Sequence, residues 1–236
     1  MINNIEIPRH VVIIPDGNRR WAKLRDMKPW EGHEAGAQMI EQICNRARNI
    51  GVQYLSFWGS SMENMTKRSI QERRGLIKIY EKYFTKLIND ESVMADQVRI
   101  NIIGQWRDHF PEKLVRILDE GMEKTKNHKR YSINFFLMYS GDEEMLFAIQ
   151  QMVETFHSGA QITKKTIKDH LLTRELPAVD YLIRTGGDPH LSAGFMMWDI
   201  ANAQLFFSDL LFPDFNGDEF ERSLQEYVQR SRRLGA

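Results

Sequence analysis

Two short segments of this chain combine glycine, a carboxylate and arginine in a way that suits a phosphorylated ligand. The first is His10-Val-Val-Ile-Ile-Pro-Asp16-Gly17-Asn18-Arg19-Arg20-Trp21, and the second is Val179-Asp-Tyr-Leu-Ile-Arg184-Thr185-Gly186-Gly187-Asp188. In each, an apolar strand-like run ends in a charged, glycine-marked turn, which is where open α/β sheets place their ligands. Asp16 also fits the N-cap of a following helix. Its neighbours argue for more, because Asn18, Arg19 and Arg20 open that helix, where the dipole favours anions and disfavours cations. A bound phosphate gives the two arginines a purpose, through bidentate charge-assisted bonds. Asp16 can then hold Mg²⁺ against the same oxygens, since hard cations take carboxylate and phosphate ligands. Arg184, the amides of Gly186 and Gly187, and the hydroxyls of Thr185 or Ser192 outline a second anion site, although Gly-Gly after a strand also serves as a plain turn. A third polar run, Ser60 to Arg68, either caps a following helix or brings Asn64, Lys67 and Arg68 to the same end of the sheet.

Positioning these groups requires a scaffold of strands and helices. Short apolar runs bounded by turn residues predict strands at Val11–Pro15, Gln53–Trp58, Val98–Ile103, Ser132–Met138, Tyr181–Arg184 and Gln204–Phe207. Helical patterns fall between them at about His33–Asn49, Ser69–Asp90, Pro111–Lys126, Glu143–His157, Lys164–Leu172 and Asp218–Arg232. This alternation predicts one α/β domain spanning 1–236, with a central, mainly parallel six-stranded sheet flanked by helices. Ser69–Asp90 carries a broad apolar stripe from Ile70 to Ile88, which reads either as a buried core helix or as one wall of an apolar tunnel.

The bulk composition narrows the class. The 236 residues are 42% hydrophobic and 27% charged, as in ordinary globular proteins. Lysine plus arginine (32) balances aspartate plus glutamate (32), so a nucleic-acid partner has no electrostatic footprint. Cys44 is the only cysteine, which excludes a disulfide framework and a thiolate metal site. No apolar run approaches about 20 residues, so no transmembrane segment is expected, and the first residues lack the pattern of a secretory signal. A cytoplasmic enzyme is the expectation.

The chain resembles the cis-prenyltransferases, the undecaprenyl diphosphate synthase family. The segments that carry the likeness are HVVIIPDGNRRWAK, GHEAGAQ, SSMENMTKR, VDYLIRTGGD with the following LS, LFFSDLLFPDF and RSRRLGA, in family order from His10 to Gly235. The resemblance implies a homodimer with an apolar substrate tunnel between sheet and helices. It also implies transfer of a prenyl group from an allylic diphosphate to isopentenyl diphosphate, assisted by Mg²⁺. On the matching positions, Asp16 is implied as the metal ligand. Gly17, Asn18, Arg20 and His33 are implied as allylic diphosphate and catalytic positions, and Ser61, Glu63 and Asn64 as a mobile loop. Arg184 and Ser192 are implied as the second diphosphate site. With Arg19, Trp21, Lys28, Lys67, Arg68 and His190 in the same segments, these form the expected substrate-binding set, and Asp16, Asn18, His33 and Asn64 the expected catalytic set.

Against the family pattern, Pro15 and Arg19 replace a methionine and a glycine, and Ser60 and Met65 replace aromatic residues. Lys28-Pro29 lacks an arginine, and lysine has no bidentate fork. His190 stands for an arginine, and Gln204 for a metal-binding glutamate, leaving Asp188 or Asp199 to compensate. The changes gather on the second-substrate side. The Pro-Asp-Gly-x-Arg-Arg-Trp variant also resembles that of an irregular member, cyclolavandulyl diphosphate synthase, which joins dimethylallyl units head to middle. Bulky Tyr131, Phe135, Phe136, Tyr80, Tyr83 and Phe84 at the tunnel predict a short product, about C10 to C20. The readings are a short-chain prenyl transfer, regular or irregular; a non-catalytic subunit of a prenyltransferase complex; and an unrelated nucleotide-binding protein, which would need a glycine-rich phosphate loop that is not present.

Overall fold

The computed structural model describes residues 7–155 and 161–230. The ends of the helices expected to reach His157 and Arg232, and RSRRLGA beyond Arg230, lie outside the described residues. Six parallel strands form one sheet: β1 (His10–Ile14), β2 (Tyr54–Trp58), β3 (Val98–Ile103), β4 (Tyr131–Phe136), β5 (Tyr181–Arg184) and β6 (Gln204–Phe207). Their spatial order is β3-β4-β2-β1-β5-β6. β1 is buried along its whole length, as its unbroken His-Val-Val-Ile-Ile run demands of a strand covered on both faces.

The helices are α1 (Asn18–Lys23), α2 (Pro29–Ile50), α3 (Met62–Lys67), α4 (Ile70–Ile88), α5 (Glu91–Ala95), α6 (Glu112–Thr125), α7 (Gly141–Thr155), α8 (Lys164–His170) and α9 (Gly217–Gln229). The expected helices are present, but two boundaries move for clear local reasons. α2 starts four residues before His33, because Pro29 suits the first helical turn and Glu31 bonds the Lys28 amide. The expected Ser69–Asp90 helix is capped by Ser69 and stops at Ile88, and Asp90 caps α5 instead.

Val11 and Ile13 face one core with Ile43 of α2, Leu76 and Phe84 of α4, Leu114 of α6 and Phe220 of α9. Val12, Ile14 and Leu182 face the other, against Leu176, Phe195, Met196 and Ile200. The order of connections reverses at β1. The chain proceeds from β1 to β2 on one side, while β5 and β6 add to the other. Outside the carboxyl ends of β1 and β5, such a reversal leaves a crevice, and both glycine-marked turns open there.

Candidate active site

The two turns are bonded to each other before any ligand is considered. The Thr185 hydroxyl donates to the Asp16 carbonyl (2.8 Å) and accepts from the Asp16 amide (3.0 Å). Thr185 therefore braces the turns and is not a free donor for an anion. Gly17 has φ 105° and Gly186 φ 93°, both in the left-handed region. A β-carbon at Gly186 would stand 2.5 Å from Arg20 Nη2, so this glycine also makes room for the arginine.

Asp16 is not an N-cap; Gly17 holds that position, and the Asp16 carboxylate receives the Gly17 amide. Arg184 donates to Asp16 Oδ2 at 2.8 Å, and Arg20 lies 3.4 Å from Oδ1. Arg184 is 3% exposed, and its other terminal nitrogen bonds Ser192 Oγ (2.6 Å) and the His190 carbonyl (2.7 Å). Asp188 approaches the same guanidinium at 3.7 Å and pairs with His190.

α2 closes on this turn through GHEAG. A β-carbon at Gly32 would fall 2.1 Å from the Asn18 carbonyl oxygen, and one at Gly36 would fall 2.3 Å from Asn18 Oδ1. These two glycines let the helix touch Asn18, whose side-chain amide donates to the Pro15 carbonyl. The approach also seats His33, where burial holds its pKa below the ordinary histidine value and keeps the imidazole neutral at pH 7.

His33 faces Glu72 of α4, a residue that the sequence reading missed. His33 Nε2 lies 3.5 Å from Glu72 Oε1, Arg68 Nε lies 3.2 Å from it, and Arg19 Nε lies at 3.7 Å. The His33 ring nitrogen close by, followed by the charges of Arg19 and Arg68, holds the Glu72 carboxyl below the usual range despite burial. The one signal in the sequence is Arg68 and Glu72 at i, i+4, hidden at the start of an apolar helix. Arg19, where the family pattern has glycine, thus gains a carboxylate partner.

A cleft of about 840 Å³ joins these groups, lined by Asp16, Gly17, Asn18, Arg19, Arg20, His33, Asn64, Arg68 and Ser192 of the expected set. Lys23, Asp26, Trp58 and Gly59, outside the expected site set, line it too. Trp21, Lys28, Ser61, Glu63, Lys67, Arg184 and His190 do not line it; Arg184 is buried behind Asp16, whose carboxylate it bonds. The Trp21 indole donates to Asp214, Ser61 caps α3 through the Asn64 amide, and Glu63 pairs with Lys67 on the surface. Four buried polar atoms at or beside the cleft lack a hydrogen-bond partner: Asn18 Oδ1, His33 Nε2, Glu72 Oε1 and Arg184 Nε. Buried polar atoms of this kind are uncommon in a purely structural role and suit a site that a polar ligand completes.

An apolar cavity of about 140 Å³ continues from the cleft, sharing Pro15, Asn18, His33, Trp58 and Gly59 with it. It runs between α2, α4 and the sheet past Tyr80, Tyr83, Phe84, Phe57 and Phe135, toward Arg48, Lys86 and Asp90. Phe135 stacks on Phe57 (5.8 Å) and meets Phe84 edge-on (4.9 Å). Phe136, expected at the same wall, points to the opposite core because strand side chains alternate. Tyr131 sits at the start of β4 and does not line the cavity either; its hydroxyl bonds the Arg48 carbonyl.

The metal alternatives separate cleanly. Gln204 pairs with Tyr181 at the start of β6, about three residues of strand from the Arg184 level. Asp199 lies in a different buried cluster, where it accepts from Thr173 and pairs with Lys168. Only Asp188 shares a guanidinium with Asp16. Among the described residues there is no group of three or more histidine, cysteine or acidic side chains that could by itself hold a metal. A cation bound by one or two carboxylates and substrate phosphates fits that arrangement.

The model of the family described as putative undecaprenyl diphosphate synthase matches residues 14–235. A tritrans,polycis-undecaprenyl-diphosphate synthase (geranylgeranyl-diphosphate specific) of Thermococcus kodakarensis is 35% identical over 97% of this chain and 87% of its own length. An isoprenyl transferase of Listeria innocua is 32% identical over all of this chain and 93% of its own. The crystal structure of lavandulyl diphosphate synthase from Lavandula x intermedia in complex with dimethylallyl diphosphate superposes with a TM-score of 0.87, at 28% identity over 96% of this chain and 97% of that one.

Proposed function

The chain belongs to the undecaprenyl diphosphate synthase family, and from that premise we propose that it joins an allylic prenyl diphosphate to a second short isoprenoid diphosphate with loss of diphosphate. One observation carries the reading: a cleft lined by Arg19, Arg20, Arg68 and the Asp16 carboxylate leads through Asn18 and His33 directly into an apolar cavity. Arg19, Arg20 and Arg68 would hold the allylic diphosphate, and the cavity would take its tail. As the allylic carbon–oxygen bond breaks, the electron pair leaves with the diphosphate, where guanidinium groups already stand to receive the charge. The double bond of the second substrate supplies the new carbon–carbon bond, and a proton is then lost. Exclusion of water by the apolar walls protects the cationic carbon from hydrolysis. Mg²⁺, held by Asp16 with Asp188 nearby, would neutralise the diphosphate and favour its departure.

A short product, about C10 to C20, follows from the aromatic walls and the polar far end of the cavity, where Arg48 bonds Ser92 and Asp96. Irregular coupling of dimethylallyl units is the second reading. It is favoured by the Pro15–Trp21 turn and by the likeness to the lavandulyl enzyme. A non-catalytic subunit is disfavoured, since such a subunit has no need of unsatisfied buried groups around a cleft. Homodimer formation is supported by exposed Leu146, Phe147, Ile149 and Val153 on α7 and by exposed Leu205 and Phe207 on β6. A cytoplasmic setting is supported by the unpaired, buried Cys44. No helix of the described residues is long and apolar enough to cross a membrane.

The test is incubation of purified protein with dimethylallyl or geranyl diphosphate and Mg²⁺, with and without isopentenyl diphosphate, followed by mass analysis of the products. Long polyprenyl products would overturn the short-product reading, and absolute dependence on isopentenyl diphosphate would overturn self-coupling. Asp16→Ala is expected to reduce turnover by about a thousandfold. Unchanged turnover in that variant would refute the metal assignment.

A further inference from the structure

On the outer side of α3 lies a groove of about 510 Å³, separate from the cleft. Its floor is apolar, built from Met62 and Met65 of α3, Ile77 of α4 and Met138 after β4. Its rim is cationic: Arg73, Arg74 and Lys78 stand exposed along α4, and no ion pair or hydrogen bond engages their side chains among the described residues. Other cations of α4 are matched, Lys82 to Glu34 and Lys86 to Glu41 of α2. The carboxylate at the groove, Glu81, is already held by Lys113. The unmatched charge on this helix is therefore concentrated beside the apolar trough.

A bounded trough edged by three unmatched cations suits a single amphiphile with a flexible apolar chain and a phosphate-rich head. We propose that this groove binds a second isoprenoid diphosphate, apart from the reacting pair, and that its occupancy fixes the position of α3. This rests on the reading of the ligand class under the proposed function. α3 is the partition between the two spaces, with Met62 and Met65 lining the groove and Asn64 lining the cleft. Arg68, which closes α3, lines the cleft and contacts the groove residue Met65, with Nη1 3.7 Å from Met65 Sδ and Nε 3.2 Å from Glu72. A chain packed on Met65 bears on Arg68, and Arg68 bears on the Glu72–His33 pair.

Isothermal titration of the full chain with farnesyl thiolodiphosphate, which is not readily cleaved, tests the site. Two classes of binding are expected. The double variant Arg74→Glu/Lys78→Glu, and the milder Arg74→Gln/Lys78→Gln, should weaken one class by about tenfold or more and leave the other intact. Ligand should also slow amide hydrogen exchange in α3 through that class, an effect lost in both double variants. A single class in the unaltered protein, or two classes that survive both double variants, overturns the proposal. Cosedimentation with phosphatidylglycerol vesicles that these variants abolish, without a second class in the titration, assigns the groove to a membrane and also overturns it. Arg20→Ala should weaken the cleft class alone. If it weakens neither, the cleft reading falls, while a class sensitive to Arg74 and Lys78 still upholds the groove.

Discussion

Glu72 and Asp199 are both buried carboxylates, each beside a cation, yet they lie on opposite faces of the sheet and are treated differently by their surroundings. Around Asp199 the bonding is complete. Thr173 Oγ1 donates to Asp199 (2.6 Å), Lys168 pairs with it, and the Thr173 amide donates to Glu144 (3.0 Å), which also accepts from Tyr139 (2.6 Å). Burial pushes both Glu144 and Asp199 above the usual carboxylate range. Around Glu72 the bonding is incomplete, cations come from two helices, and the carboxyl is held low. A fully bonded polar cluster rigidifies a core, whereas an unfinished one facing a cleft marks chemistry still to be supplied. One cluster fixes the loop that carries Ser192; the other is poised toward a ligand.

The largest expected break in this comparison is Lys168→Met. It leaves Asp199 without its cation and should lower stability by about 3–5 kcal/mol, measured by urea unfolding at pH 8, while turnover of the folded fraction persists. His10 belongs with the completed side of the comparison. Its ring bonds Ser56 and the Pro177 carbonyl, and burial lowers its pKa from 6.5 to about 4. Between those values the unfolded chain binds more protons than the folded one, so stability falls as pH drops from 6.5 toward 4. The expected loss is about 3 kcal/mol, and His10→Gln should flatten that slope in paired urea titrations. On the unfinished side, Glu72→Gln should reduce kcat/KM by about a hundredfold, yet lower the melting midpoint less than Lys168→Met does. In the same variant the His33 ring resonances should titrate at still lower pH, because a partner that raises the His33 pKa is gone. The smallest effect is expected for Arg19→Gly, about two- to threefold in kcat/KM, since the Arg19 side chain is largely exposed and its contact with Glu72 is long.

The strands and the Asp16 turn were legible because their signals are local. An unbroken apolar run and a glycine needing positive φ are written at the positions where they act. Glu72 was not legible, because its burial depends on how α4 packs on α2, where a β-carbon at Gly75 would stand 2.7 Å from Trp30 Cβ, and no local pattern pairs those two positions. Gln204 shows the reverse case. It is adjacent in sequence to a metal-site motif, but parallel pairing with Tyr181 sets it at the far end of its strand. Lys28 and His190 sit inside motif segments, yet neither lines the cleft; His190 instead pairs its ring with Asp188 and lends its carbonyl to Arg184. Proximity along the chain located the turns, and only register and packing decided which side chains share the cleft.

The missing β-carbons at Gly32 and Gly36 have a mechanical consequence. With backbone against backbone at Asn18, the wall formed by the Asp16 turn and α2 has no slack, and neither part can shift without the other. The facing wall is different in build: α3 is six residues long, capped by one serine, and hollow on its outer side. On the proposed function, anvil and hammer would divide the work, the fixed wall keeping the reacting head in register while the short helix would take up the travel that a catalytic cycle requires.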